Sequence, residues 1–400
     1  MIPALRRSIR RLHPPIIYLI GALVLSVLPD CGPRIPTPGI DTLWTRTIGG
    51  LQDDQGQSVK VTPDGGYVVA GFTHSIGAGE NDYYLLRVGV GGDLLWDTTY
   101  GFVRNEQAYG IAVTGDGGYA ICGFTNSIGS GIEDVYLVRT DADGDTIFTR
   151  TYGGTTGDAG YGIADLTNSG FAICGIRGSD IYMIRTDTIG DTLWTRTFGG
   201  SGNDFGNSLA RTADGGFVIC GATNSFGSGL SDVYLLKVDG SGNLLWSKTF
   251  GGTKNDWGAS VVPDLDDGFI VCGYTESFGH GAFDCYLIKT DADGDTVWTR
   301  TFGGGGNEAG YSVIVLPDGS IAVAGFTDSW GHGALDLYLL KVGSDGSQTW
   351  SAVYGGPADD VAYSLAPTAD GGFIAVGYTK SFGFGSADLY ILKTAPEPQP

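Results

Sequence analysis

The stretch DADGDTIFTRTYGG at residues 141–154 returns as DADGDTVWTRTFGG at residues 291–304. Its aromatic residue recurs along the whole chain, at Trp44, Trp96, Phe148, Trp194, Trp246, Trp298 and Trp350. Consecutive members are 52 residues apart, except for one interval of 46 residues between Phe148 and Trp194. A fixed period of this length is typical of repeat architectures. The sequence therefore contains seven copies of one unit.

Each unit contains four short apolar runs. In the fourth unit they are GNSLART, FVICGAT, DVYLLKV and LLWSKTF, at residues 206–212, 217–223, 232–238 and 244–250. The runs are rich in β-branched and aromatic residues, are bounded by Gly, Asp and Asn, and are too short for helices. Four-strand units of this size predict the blades of a β-propeller, with strands a to d in each blade.

The two ends of the repeat region complement each other. The first repeat element is a lone strand d around Trp44, and the last is a lone strand c at residues 388–394. The N-terminal strand can complete the last blade, which removes the exposed sheet edges of an open array. We therefore predict an all-β, seven-bladed propeller of four-stranded antiparallel blades over residues 41–394. Its b–c and d–a loops lie together on one side, called here the loop-rich face.

The N-terminus is a separate segment. Four arginines within residues 6–11 precede an apolar run at residues 16–28. That run is shorter than the roughly 20 residues of a membrane-spanning helix and is typical of a signal peptide. We interpret residues 1–31 as a signal peptide or lipoprotein signal, with Cys31 as the lipidation candidate. Asp30 departs from the lipoprotein pattern, so lipidation and simple secretion stay open as alternatives.

Proline-rich segments flank the predicted propeller, a linker at residues 32–40 and a tail at residues 395–400. The formal net charge is −21, which disfavours binding to nucleic acids and to anionic membrane surfaces. We expect no nucleic-acid partner, membrane contact only through a lipid anchor, and a monomer. The sequence contains no nucleophile elbow, phosphate loop or zinc signature, so no catalytic residue is assigned and no cofactor is expected.

The aspartates of the opening phrase suggest either a turn or a calcium site. An EF-hand loop places glycine sixth, whereas Gly144 is fourth. A looser Ca²⁺ site stays open as an alternative, at Asp141, Asp143 and Asp145 or at Asp291, Asp293 and Asp295. The spacing from Gly294 to Trp298 resembles the tryptophan-docking repeat of quinone-dependent propellers, but the Thr-Gly-Lys element is missing. The main interpretation is a hairpin turn, in which glycine supplies a positive φ.

Two acidic columns accompany the repeat. One column comprises Asp54, Glu106, Asp158, Asp204, Asp256, Glu308 and Asp360; the other comprises Asp82, Asp134, Asp180, Asp232, Asp284, Asp336 and Asp388. Either column could form a cation ring, or each carboxylate could accept backbone N–H bonds within its own loops. Uniform repetition favours the structural role, because a ligand site needs only one or two blades.

Departures from the sevenfold pattern are the better candidates for function. The third unit has only IRGSD where other units have a longer b–c loop, which predicts a notch beside Arg177. His280 and His332 occupy one loop position in adjacent blades, and exposed tryptophans could stack on sugars. The candidate ligand-binding residues are Arg104, Asn105, Arg177, Trp257, His280, Trp330 and His332.

Four cysteines share one strand-b position, namely Cys122, Cys174, Cys220 and Cys272. We expect them to behave as small buried hydrophobic residues, too far apart between blades for disulfides. Cys285 in strand c could reach Cys272 across the hairpin, so one disulfide stays open as an alternative.

The repeat GGSGNDFGNSLARTADGGFVICGATNSFGSGLSDVYLLKVDGSGNLLWSKTFGG, at residues 199–252, resembles the β-propeller repeats of exported bacterial and archaeal surface proteins and lipoproteins. The resemblance covers residues 41–394 and implies the fold and export, but no activity. The leading hypothesis is a non-enzymatic binding or scaffold protein of the cell envelope or surface. The alternative is a carbohydrate-binding or carbohydrate-active propeller. In either case a protein or glycan ligand is expected at the loop-rich face.

Overall fold

The computed structural model describes residues 40–397 and arranges them in seven four-stranded antiparallel sheets. Each sheet is one blade, and the innermost strand of each blade contacts that of the next around a closed ring. The predicted seven-bladed propeller is confirmed. Within the described part of the chain, no helix has the length and apolar character needed to cross a membrane.

The strand bounds follow the repeat. Blades 1 to 3 contain β2 (Asp54–Val61), β3 (Tyr67–Thr73), β4 (Asp82–Val88), β5 (Leu94–Tyr100), β6 (Glu106–Val113), β7 (Tyr119–Thr125), β8 (Asp134–Thr140), β9 (Thr146–Tyr152), β10 (Asp158–Asp165), β11 (Phe171–Arg177), β12 (Asp180–Thr186) and β13 (Thr192–Phe198). Blades 4 to 6 contain β14 (Asp204–Arg211), β15 (Phe217–Thr223), β16 (Asp232–Val238), β17 (Leu244–Phe250), β18 (Asp256–Pro263), β19 (Phe269–Thr275), β20 (Asp284–Thr290), β21 (Thr296–Phe302), β22 (Glu308–Val315), β23 (Ile321–Thr327), β24 (Asp336–Val342) and β25 (Gln348–Tyr354). Blade 7 contains β26 (Asp360–Pro367), β27 (Phe373–Thr379), β28 (Asp388–Thr394) and β1 (Thr42–Ile48).

Burial explains the composition of the strands. Strands b and c are largely buried, and β3 and β4 are buried at every position, because each blade is packed between two neighbours. Strand d is the outer edge of the blade, and β5 alternates between exposed and partly buried residues. The core is therefore distributed over the junctions between blades.

Closure of the ring combines the two ends of the described chain. Strand β1 pairs with β28 in antiparallel register, with Arg46 opposite Ile391 and Thr47 opposite Tyr390. The backbone N–H of Ala395 donates to the carbonyl of Asp41 (2.7 Å). The prediction that the N-terminal strand completes the last blade is confirmed.

The glycine of the opening phrase has two structural roles. Gly294 has φ of 78°, and a Cβ added there would lie 2.8 Å from the indole ring of Trp246 in the preceding blade. In six of the seven units the aromatic residue therefore docks on the c–d turn of the next blade, and only glycine leaves room for it. The docked pairs are Trp44 on Gly92, Trp96 on Gly144, Phe148 on Gly190, Trp194 on Gly242, Trp246 on Gly294 and Trp298 on Gly346.

The cysteines of the described chain are all free and buried. Cys272 lies opposite Leu287, and Cys285 lies opposite Tyr274, so the register offsets the two thiols along the hairpin. The alternative of a Cys272–Cys285 disulfide is therefore wrong. Burial raises the pKa of Cys174 to about 12, which keeps this thiol protonated and unreactive. Cys31, the predicted signal and most of the linker lie outside the described residues.

Candidate functional site

The first acidic column anchors loops on the loop-rich face. Asp54 is fully buried, and its Oδ2 accepts the backbone N–H of Gly50 (2.8 Å) and the hydroxyl of Ser75 (2.6 Å). Its Oδ1 accepts the hydroxyl of Thr73. One carboxylate thus ties a d–a loop to the b–c loop of its own blade. The structural interpretation of this column is confirmed.

The second column anchors the b–c loops. Asp82 Oδ2 accepts the backbone N–H groups of Ala78 (2.8 Å) and Gly79 (3.2 Å). Tyr84, two residues later, is buried in the cluster between blades 7 and 1. Both observations agree with the structural role expected for the D-x-Y element.

The aspartates of the opening phrase form a local turn. Asp141 Oδ1 accepts the backbone N–H groups of Asp143 (3.0 Å) and Asp145 (2.9 Å). The equivalent Asp291 accepts those of Asp293 (3.0 Å) and Asp295 (2.8 Å). Residues 40–397 contain no group of three or more His, Cys, Asp or Glu that could hold a metal ion. Calcium binding by either triplet stays a prediction.

Arg177 is the last residue of β11 and lies at the short b–c loop of blade 3. It lies opposite Asp158, where other blades place a threonine opposite the strand-a acid. Its Nε is 4.0 Å from Asp158 Oδ1, and its guanidinium lies 5.2 Å from the ring centre of Tyr182. The chain reverses directly through Gly178, which has φ of 61°. The side chain of Arg177 is 39% exposed, so it stays accessible.

Asn105 is part of the loop framework. Its Oδ1 accepts Nδ2 of Asn81 (2.8 Å), and its own Nδ2 donates to Glu80 (2.7 Å). Its backbone N–H donates to Asn126 (2.8 Å), so the residue links the b–c loops of blades 1 and 2. Arg104 is exposed beside it. The guanidinium of Arg177 lies against Gly154, in the d–a loop that leads into its own blade.

The histidines and Trp330 follow the repeat. The backbone N–H of His280 donates to Asp284 and that of His332 to Asp336, and both imidazoles are exposed on their own blades. Trp330 is half-buried, with its ring 6.0 Å from that of Tyr338. The same loop position packs on the same tyrosine elsewhere, as Phe226 on Tyr234, Phe278 on Tyr286 and Phe382 on Tyr390.

Trp257 belongs to an aromatic cluster near the ring axis. It is half-buried, lies 5.0 Å from Phe205 in the adjacent blade, and stacks on Tyr274 at 6.4 Å with an interplanar angle of 5°. Further inner-strand tyrosines contact each other between blades, including Tyr311 with Tyr363 at 5.4 Å. Sequence reasoning missed these tyrosines, although they occupy one strand-a position.

An exposed apolar region was also missed. It consists of Leu51, Ile76, Phe102, Val103 and Phe384, and is called here the apolar loop surface. Phe384 is 90%, Leu51 82% and Val103 75% exposed. The corresponding d–a loops of blades 4 to 6 are built from GGSGN, GGTKN and GGGGN. The sequence signal for this surface was the presence of bulky apolar residues at d–a loop positions that are glycine-rich in other blades.

Four successive loops make this surface continuous. Gly385 packs against the backbone of residues 50–52, and the N–H of Gln52 donates to Ser75 Oγ (3.1 Å). The N–H of Glu80 then donates to the carbonyl of Arg104 (3.2 Å). Loops 380–387, 49–53, 74–81 and 101–105 therefore form one strip across blades 7, 1 and 2.

A cleft of about 550 Å³ opens beside Phe384, between the outer strand of blade 7 and the c–d turn of blade 1. Its walls include Arg46, Ile48, Asp93 and Leu94. The apolar loop surface therefore continues into a groove that has both apolar and charged walls.

Comparison with known proteins identifies the fold and no family. No protein-family model matches the chain. A curated relative, regulatory protein FlaEY of Caulobacter vibrioides, is 29% identical over 163 residues, which cover 35% of this chain. The match spans 17% of the length of FlaEY.

Three solved structures share the architecture. The WD40 propeller domain of Doa1 has a TM-score of 0.56 at 14% identity, covering 90% of this chain and 98% of that one. The Neurospora crassa Pan2 WD40 domain has a TM-score of 0.53 at 12% identity, covering 86% and 90%. BBS1N, in complex with ARL6DN, has a TM-score of 0.51 at 11% identity, covering 90% and 98%. At these identities the likeness is one of fold alone.

Proposed function

We propose that this protein is a non-enzymatic, exported binding or scaffold protein of the cell envelope or surface, and that it binds a protein partner through the apolar loop surface. The observation that carries the proposal is the exposure of Phe384, Leu51 and Val103 on adjoining loops. Monomeric proteins rarely leave large apolar side chains grouped in this way unless the group is an interaction site.

The loops that present these side chains are held in place before any partner binds. The backbone N–H of Phe384 donates to Asp388 Oδ2 (3.0 Å), and that of Gly50, next to Leu51, donates to Asp54. Fully burying one large apolar side chain contributes about 1.5–3 kcal/mol. Because the backbone is already ordered, less of that gain is lost to ordering the loops on binding.

Export is supported by the arginine-flanked apolar segment at residues 16–28. A protein-binding role is supported by the propeller of BBS1N, which was solved in complex with ARL6DN. The acidic columns and the opening phrase support a non-enzymatic role, since their carboxylates accept hydrogen bonds from the loops they anchor.

A capture experiment in the native host tests this proposal. A photo-crosslinking residue at position 384 should trap one protein, and Leu51→Ser with Val103→Ser should abolish the crosslink. The matched control places the crosslinker at Ser228, the same loop position in blade 4. Crosslinking of the same protein with equal yield from position 228 would contradict the proposal.

A glycan ligand is the second candidate, favoured by Trp257 and Phe205 near the axis of the loop-rich face. Aromatic faces beside amide and phenol groups suit sugar rings, and Asn207 lies on the same inner strand as Phe205. A glycan array with the parent and Trp257→Ala decides between the two. Binding lost in Trp257→Ala but kept in the apolar-surface variants would favour the glycan.

A further inference from the structure

Every junction between blades places two carboxyl groups side by side. One is the first residue of strand c, and the other is the first residue of strand a in the next blade. The pairs are Asp82 with Glu106, Asp134 with Asp158, Asp180 with Asp204, Asp232 with Asp256, Asp284 with Glu308, Asp336 with Asp360, and Asp388 with Asp54. Apart from Asp180, each of these residues is at most 3% exposed.

The two carboxyl groups face each other across a glycine. A Cβ added to Gly49 would lie 2.5 Å from Asp388 Oδ1 and 2.6 Å from Asp54 Oδ2. Gly101 is caught in the same way between Asp82 and Glu106. Any side chain here would displace a carboxyl group, which explains why the residue after strand d is glycine in every unit.

The strand-c carboxyl group of the Asp82–Glu106 pair lacks one hydrogen bond. Asp82 is 1% exposed, and its Oδ2 accepts two backbone N–H groups. Its Oδ1 is buried, lies beside Gly101 as Glu106 Oε2 does, and has no partner among residues 40–397. Glu106 is satisfied, because Oε2 accepts the N–H of Phe102 (2.7 Å) and Oε1 accepts the hydroxyl of Thr125 (2.6 Å). At the Asp336–Asp360 pair, Oδ1 of both aspartates is buried without a partner among the described residues.

We propose that these junctions are proton-binding sites: the strand-c aspartate carries a proton on Oδ1, donates it to the strand-a carboxylate, and loses it as the pH rises, which loosens the junction. A proton supplies the missing hydrogen bond of Asp82 and removes the repulsion between two adjacent buried anions. Leaving both groups ionised would place two unscreened like charges in a low-dielectric interior.

The surroundings of the pair suit a proton better than a metal ion. The oxygens of Asp82 and Glu106 are lined by N–H and O–H donors, from Ala78, Gly79, Phe102 and Thr125. A hard cation such as Ca²⁺ instead requires six to eight oxygen ligands. A cation remains an outcome that the experiment below distinguishes.

Few titratable groups lie around the Asp82–Glu106 pair. Glu80 and Arg104 belong to the two loops that meet above it, and the phenols of Tyr83, Tyr109 and Tyr136 and the Cys122 thiol lie on the core side. Burial raises the pKa of Asp82, and the charge of Glu106 adds to that rise, against the lowering effect of the two backbone N–H bonds.

The pKa of the strand-c aspartate is also raised at other junctions. Burial raises the pKa of Asp232 and of Asp336, with further increases from Asp256 and Asp360, while His332 lowers that of Asp336. A carboxyl group whose pKa is raised in the folded state stabilises the fold when it is protonated. This stabilisation is complete below the pKa of the unfolded state, about 3.9, and is lost as the pH rises through the pKa of the folded state.

One junction provides an internal control. At the Asp134–Asp158 pair, the guanidinium of Arg177 lies 4.0 Å from Asp158 Oδ1. Burial still raises the pKa of Asp158, but the charge of Arg177 opposes that rise, so this junction has less need of a proton than the Asp82–Glu106 pair.

The experiment compares Asp82→Asn with Asp134→Asn by thermal unfolding at pH 5 and pH 8. Asparagine keeps the shape of Asp82 and donates to Glu106 without titrating. We expect Asp82→Asn to melt about 1–3 °C above the parent at pH 8 and level with it at pH 5. Asp134→Asn removes the same formal charge, and we expect no such gain at pH 8. Equal effects of the two variants at both pH values would overturn the proposal.

Proton counting gives a second readout that does not depend on any variant. Potentiometric titration of the native and the urea-unfolded parent should show excess protons on the native state from about pH 5.5, where carboxyl groups of ordinary pKa are ionised in both states, up to the raised pKa values. No excess would overturn the proposal. So would a rise in melting temperature at pH 8 with Ca²⁺, Mg²⁺ or K⁺ that is lost in Asp82→Asn, because the pair would then hold a cation. This inference stands independently of the proposed binding function.

Discussion

The indole Nε1 of Trp350 donates a hydrogen bond of 2.8 Å to Glu397 Oε1, at the one junction where the docking pattern is interrupted. Blade 7 has no c–d turn, because the chain enters the ring at β1 and leaves it after β28. Glu397 occupies the place of that turn, and its Oε2 also pairs with Lys341 Nζ (2.5 Å). Ile40 packs in the same cluster as Trp350, so both ends of the described chain cover this tryptophan.

Replacing Glu397 by alanine should therefore destabilise the closure of the ring. Lys341 is 11% and Glu397 22% exposed, so the lost charge-assisted bonds are poorly replaced by water. We expect a loss of about 1.5–3 kcal/mol in unfolding free energy, measured by urea denaturation. Glu397→Gln keeps the bond to Trp350 and should lose less. A deletion of residues 398–400 serves as the control, and an equal loss in that control would contradict the assigned role.

Gly294→Ala should destabilise the protein more than Gly371→Ala. Both glycines have positive φ, at 78° and 86°, so both variants carry the same backbone strain. A Cβ at Gly294 meets Trp246, whereas a Cβ at Gly371 meets nothing within 4 Å. We expect Gly371→Ala to cost about 1–2 kcal/mol, and Gly294→Ala a further 1–3 kcal/mol, roughly, from overpacking. Chemical denaturation measures both. Equal losses would show that the tryptophan moves aside freely.

Replacing Asp141, Asp143 and Asp145 by asparagine should leave the melting temperature insensitive to calcium, as in the parent. Asparagine keeps the side-chain oxygen that accepts the turn N–H groups at Asp141 and removes the charge that Ca²⁺ requires. A site at 100 times its dissociation constant would instead add about 2.7 kcal/mol to the parent. A calcium-dependent gain that chelator abolishes and the triple variant lacks would contradict the turn interpretation.

The mature protein should lack residues 1–30. The apolar run that precedes Cys31 has the length and arginine flank of a cleaved signal. Intact-mass spectrometry of the protein from its own host measures the cleavage site, and an added diacylglyceryl mass would distinguish lipidation from simple secretion. A Cys31→Ser variant is the control, since it has no thiol to carry the lipid. A chain that retains Met1 would contradict export through this segment.

The repeat pattern was sufficient to predict the blades, their number and the closure of the ring. Each blade is specified by its own strands and turns, so the period of 52 residues carries the architecture. The structural role of the two acidic columns could also be predicted, because each carboxylate bonds to loops near it in sequence, as Asp54 does to Gly50.

Only the tertiary structure decided which exceptions to the repeat lie together and which are exposed. Loop 380–387 meets loop 49–53 because ring closure brings distant parts of the chain into contact, as Ser386 with Asp53 shows. Asn105 and Trp257 both depart from the repeat in sequence, but in the structure both contact a neighbouring blade, Asn105 through Asn81 and Trp257 through Phe205. The carboxyl pairs share this origin: Asp82 and Glu106 belong to different blades, and only the packing of one blade against the next buries them side by side.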